Sequence, residues 1–198
     1  EGIINQHLAK NGVAPTGVST NGQSQETQGG NVEPKVFSKL EHALDYSAKQ
    51  AQGRTRAEAD AMEARGEDPT QAPEFGAAIY TSSERRGFQV GPLVAGESPV
   101  RLTETQTRPA QMNIGELVRS APSGSTVVGL AHSHPTNDSS ASAFRTDFAN
   151  SNAIVRREEK SGAPLSLESG QRVSLQGISI GLPSGRVVRY DPRSREVY

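Results

Sequence analysis

Two of the chain's four histidines, His132 and His134, stand one residue apart in "VVGLAHSHPTND" (Val127–Asp138). Residues i and i+2 of an extended backbone project to the same side, so both imidazoles reach one point just off a strand end. Zinc bound through nitrogen needs arms of about 2.0–2.1 Å at roughly tetrahedral angles, and this spacing can provide them. Pro135 removes a backbone donor and fixes φ, so a sheet stops there and a loop opens. Two imidazoles leave such a site incomplete. A carboxylate is the usual third ligand, with the fourth position left for water. Asp138 and Asp147 are the nearby candidates. Asp138 lies in a Thr-Asn-Asp-Ser-Ser stretch, where turn chemistry accounts for it. Asp147 falls in the first turn of a predicted helix, which would hold it rigidly, and it is preferred. The helix dipole also favours an aspartate there for purely structural reasons. A metal brings the pKa of its water toward 7, and a neighbouring carboxylate can take the proton. Glu74 is the candidate base, at the mouth of a strand with Gly76, Ala78 and Tyr80 on its face. Strand histidines are commonly satisfied by backbone or water, so the pair alone is weak. Pro135, Glu74 and Asp147 together favour a metal site of His132, His134 and Asp147.

These residues need elements to carry them. Phe37, Leu40, Leu44, Ala48 and Ala51 follow helical spacing. Gly53 is expected to end that helix, and "TRAEADAMEARG" to form a second one closed by Gly66. "EFGAAIYTS" and "GFQVGPLVAG" read as a hairpin with "SERRG" at its tip. Residues 96–111 read as a loop rich in Thr, Pro and Gln, within which "RLTETQTRPAQ" is a candidate lid. "NIGELVRSA" is a short helix capped by Asn113 and stopped by "PSGS". "TVVGLA" is a buried strand by its unbroken apolar character. Residues 142–160 form an amphipathic helix whose end, "RREEK", is expected to be solvated. "RVSLQGISIGL" and "RVVRYD" are strands joined at "PSG". This order predicts an α+β fold, an α/β sandwich on a mixed sheet flanked by helices. His42 falls on the polar side of its helix, and His7 is expected to be solvated.

Composition narrows the classes. The chain has 198 residues, enough for one domain with appendages. Residues 1–35 carry a Gly-, Ser-, Thr-, Asn- and Gln-rich stretch and read as a flexible N-terminal segment or linker, with the folded domain at 36–198. Without cysteine, any metal site must use His, Asp or Glu. A net charge of −1 gives no push toward nucleic acid or anionic membranes. Nothing approaches the roughly 18–20 apolar residues of a membrane span.

"E-F-G-A-A-I-Y", then "G-L-A-H-S-H-P", then Asp147 resembles the JAB/MPN (JAMM) metallopeptidase pattern: a strand Glu, His-x-His-Pro, and a downstream Ser-x-x-Asp. The closing "GLPSGRVVRYDP" and the helix before Glu74 are most similar to the JAB-like domains at the C-termini of bacterial RHS-type polymorphic toxins. The resemblance covers about Val36 to Pro192. It implies Zn2+ held by His132, His134 and Asp147, Glu74 as general base, and a serine steadying the oxyanion. It further implies a peptidase or isopeptidase-like toxin or effector, secreted or delivered by a larger protein to act in a target cell's cytoplasm. Its expected partners are a protein or peptide substrate and a cognate immunity protein. Two departures stand out. Asp147 lies one position further from Pro135 than in the family pattern, and Phe144 occupies the serine's place. Ser142, Ser140 or Ser139 could supply the hydroxyl; no spacing selects among them, and Ser142 is carried as the candidate. A JAB-like binding module without strong catalysis, and a JAB-like toxin of other hydrolytic chemistry such as a nuclease, are the alternatives.

Overall fold

The apolar run that begins at Thr126 has no polar side to offer solvent, so both its faces must be covered. It becomes the middle of the sheet. The computed structural model describes residues 34–97, 100–101, 107–108, 112–135 and 144–198, with backbone alone at 100–101 and 107–108. Its strands are β1 (Val36–Phe37), β2 (Phe75–Thr81), β3 (Phe88–Val90), β4 (Val94–Ala95), β5 (Val100–Arg101), β6 (Thr107–Arg108), β7 (Thr126–Ser133), β8 (Leu165–Ser166), β9 (Arg172–Gly181), β10 (Val187–Asp191) and β11 (Glu196–Val197). The helices are α1 (Leu40–Ala64), α2 (Ile114–Ser120) and α3 (Arg145–Ser161), with a single 3-10 turn at Pro69–Gln71. Among the described residues nine strands make one sheet, in the order β1-β3-β2-β7-β9-β10-β11, with β4 on β2 and β8 on β9. β7 runs antiparallel to β2 and parallel to β9, so the sheet is mixed. Pro34–Tyr198 pack as one unit. This is the α+β sandwich expected from the order of elements. No helix among the described residues is long and apolar enough to cross a membrane.

Each sheet face has its own core. Ala43, Leu44 and Ala48 of α1 pack on Ile79, Val128 and Ala131. On the other face Leu117 and Val118 of α2, with Ile154 and Val155 of α3, pack on Ala78, Val127, Leu130 and Ile178. Simple alternation would put Val127 and Leu130 on opposite faces. A bulge resolves this: Ile79 is opposite Gly129 and Tyr80 opposite Val127, so β7 has one residue more than β2 at Val128. Beyond the bulge the alternation is regular, and it delivers His132 to the α2–α3 side. On the other side α1 lies directly on the sheet. A Cβ at Gly181 would come within 2.5 Å of the Ala48 carbonyl oxygen, and one at Gly177 within 2.9 Å of Leu44 Cδ1. Small residues at these points set the helix–sheet distance.

Three expectations are corrected. Gly53 does not end the first helix; α1 runs without a break to Ala64, and Gly66, at φ +75°, closes it. A mid-helix glycine costs only about 1 kcal/mol relative to alanine, and the turn around it buries Ala51, Gln52 and Thr55, which offsets more than that. Residues 96–111 are not all loop, since β5 and β6 pair antiparallel, Val100 with Arg108. The "RREEK" end is not simply solvated: Glu158 accepts hydrogen bonds from Ser174 at 2.5 Å and from Arg193 at 2.6 Å. Elsewhere β2 and β3 form the expected hairpin, Asn113 caps α2 by accepting from the Glu116 amide, and His42 is exposed.

Candidate metal centre

β7 ends at Ser133, one residue before the end of the His-Ser-His triplet, and Pro135 prevents its continuation. The His134 amide still donates to the Gly181 carbonyl at 2.9 Å, so β9 holds the backbone of this histidine. His132 sits opposite Gly76 of β2. A side chain at Gly76 would press within 2.8 Å of the Ala131 carbonyl oxygen and 3.0 Å of Leu117 Cδ2. Its absence lets α2 close against the strand beside the imidazole. Glu74 immediately precedes β2, on the face of Ala78 and Tyr80, as its register predicts. Asp147 lies in the first turn of α3.

The four side chains converge. His132 Nε2 and His134 Nε2 are 3.2 Å apart. Asp147 Oδ2 lies 3.5 Å from the first and 3.3 Å from the second. Ligand arms of about 2.0–2.1 Å at tetrahedral angles would set donor atoms roughly 3.3–3.4 Å apart. The triangle of two nitrogens and one oxygen therefore has the dimensions of one face of a tetrahedral site. Glu74 Oε1 stands further out, 4.0 Å from His134 Nε2. Glu74, His132 and His134 are all buried, and their donor atoms lie within 4.8 Å of one another, close enough to hold a metal ion. Asp147 Oδ2 thus lies closer to both imidazoles than Glu74 Oε1 lies to His134.

The electrostatics follow from this packing. Burial opposes a charge on Asp147, but charge and hydrogen bonds from His132 and His134 outweigh it and hold the carboxyl well below the usual range. Burial likewise opposes a charge on His132, and Asp147 and then Glu74 overcome it, raising the imidazole. Glu74 goes the other way. Burial raises it, and the imidazoles and the Met112 amide offset that only in part. Two carboxylates a few ångströms apart are thus driven in opposite directions, which is how acid and base roles become separated in one site.

Three further groups shape the centre, and of these only Phe144 was singled out by the sequence, as the residue in the serine's place. Ser133 points away from its flanking histidines to the α1 face and is fully buried. Its Oγ accepts from the Phe75 amide at 3.0 Å and lies 2.5 Å from Thr55 Oγ1. Thr55 in turn donates to the Pro73 carbonyl at 3.1 Å. The two hydroxyls therefore tie the His-Ser-His triplet to the backbone on both sides of Glu74. A serine on the covered face of a buried strand must have a partner, and that was the available signal. Thr55 gave none, because the helix that carries it was expected to stop at Gly53. The third group is Phe144, 2% exposed, with its ring 5.3 Å from that of His134 and 5.7 Å from that of Phe148. Phe148 stacks on Tyr190 at 4.0 Å. This aromatic row seats the start of α3, and Asp147 with it. Ser142, Ser139, Ser140 and Asp138 lie outside the described residues.

No family model, no curated protein and no solved structure matches the chain.

Proposed function

We propose that the domain is a zinc-dependent hydrolase of the JAB/MPN kind that cleaves an amide bond, peptide or isopeptide, as the effector part of a bacterial toxin. The observation that carries the reading is the triangle of His132, His134 and Asp147, with edges of 3.2–3.5 Å. Its donor set, two neutral nitrogens and one carboxylate oxygen, suits zinc and leaves one position open. Zinc bound there would supply a Lewis acid and an acidified water. The chain's own residues supply the rest. Glu74 stands beside the open position with its proton affinity raised by burial, suited to take a proton from water and pass it to the leaving amine. Phe144 and the α2 wall keep bulk solvent from the imidazoles. Asp147, held well below the usual carboxylate range, remains ionised, as a metal ligand must.

Metal analysis and a cleavage assay test this together. His132→Ala and Asp147→Ala should each lower zinc affinity at least ~100-fold. Glu74→Gln should keep zinc and lose cleavage by about 10²–10⁴-fold. Full activity in Glu74→Gln would overturn the mechanism. Phe144 supports a second reading, a metal-holding binding module, because a buried phenyl ring occupies the position of the family's oxyanion donor. That reading predicts zinc binding, unchanged target capture in Glu74→Gln, and no cleavage by any form of the protein.

A further inference from the structure

Across the sheet from the metal centre, α1 and the turn between β9 and β10 line a half-open pocket of about 260 Å³. Its rim carries Lys49, Arg56 and Arg186, and no acidic residue lines it. All three cations are exposed, and none forms an ion pair with another described residue. Lys49 and Arg56 sit in the middle of α1, where the helix dipole gives a cation nothing. Three like charges around one cavity repel, so the fold gains no stability from the grouping. An anion in the pocket would meet all of them.

The pocket also shares a wall with the metal centre. Gln52 lines it and, in the amide orientation that satisfies both ends, donates to the Gly181 carbonyl at 2.7 Å and to the His134 carbonyl at 3.3 Å. Gly181 accepts as well from the His134 amide. Two residues of the pocket wall, Gln52 and Gly181, are thus hydrogen-bonded to the backbone that carries one imidazole. A chain passing round the strand ends could occupy both places.

We propose that this pocket is an anion subsite that takes carboxylate side chains of an acidic peptide segment in the substrate. The volume suits one or two side chains and is too small for a nucleic-acid tract. The inference rests on the amide-hydrolase reading for its choice of a peptide, but binding to the pocket does not need the metal.

Fluorescence anisotropy tests it, with zinc-loaded protein and labelled hexaglutamate, hexaglutamine and an oligothymidylate of equal charge as probes. Hexaglutamate should bind, weaken with salt, and outcompete the other two. Lys49→Glu, Arg56→Glu and Arg186→Glu should each weaken it about threefold, and more than tenfold together. His132→Ala should leave it unchanged, so a failed metal reading and a failed pocket are told apart. Equal binding of hexaglutamine, indifference to the three reversals, loss in His132→Ala, or tighter binding of the oligonucleotide would each overturn the subsite.

Discussion

Phe144 stands three residues before Asp147, in the place where the resemblance calls for a serine, and the packing explains why a simple swap would not restore one. Its ring is wedged between His134 and Phe148. Replacing a buried phenyl by a small side chain costs about 3–5 kcal/mol. Phe144→Ser is therefore expected to lower the urea midpoint steeply and to loosen zinc binding, rather than to raise activity; equilibrium unfolding and metal titration check both. The Thr55–Ser133 pair makes a second residue-scale claim. Thr55→Val keeps the shape and removes the hydroxyl, leaving the Pro73 carbonyl and Ser133 short of a partner. The expected loss is about 1–3 kcal/mol, with Thr55→Ser close to wild type in the same denaturation experiment. At this scale the side chains that converge were legible. His132 and His134 declare themselves by spacing, and Glu74 and Asp147 by strand and helix position. The hydroxyls beneath them were not, because a residue that acts through a distant element leaves no local pattern.

Gly53 shows the limits of punctuation at the scale of elements. It reads as a helix stop, and locally it is one of the weakest positions in α1. Yet the helix continues, because the turns on either side of it bury residues against the sheet. The glycine itself is exposed, and a Cβ there would meet nothing within 4 Å. Gly53→Ala should then stabilise the domain by about 0.5–1 kcal/mol, visible as a rise in melting temperature with no change in metal content. The β-elements were easier to read. The hairpin, the central strand and the closing pair all follow from apolar runs bounded by turn residues. The bulge at Val128 was beyond reach, since an unbroken apolar stretch has no phase to reveal a slipped register.

At the scale of the whole molecule, the cluster of His132, His134, Asp147 and Glu74 is a charge arrangement that the fold must tolerate. His132 and Glu74 are both raised. Each contributes stability that is complete below its unfolded-state value and disappears as pH climbs through its folded-state one. Asp147 is lowered, so its contribution is complete above about pH 4 and is lost only in acid. Of these three groups only His132 and Glu74 change from about pH 5 upward, and both change in the same direction. The zinc-free protein should melt at a lower temperature at about pH 8 than at about pH 5.5, and added zinc should reverse the order. Thermal scans with and without chelator across that range decide it.

The parallel pairing of β7 with β9 bears on how the site comes into being during synthesis. All four converging side chains lie between Glu74 and Asp147, so a growing polypeptide has them before β9 is made. The His134 amide, however, has its acceptor in Gly181, which leaves the ribosome tens of residues later. Until then the loop bearing the second imidazole lacks its anchor. The anchoring of that imidazole therefore waits on the docking of β9 beside β7.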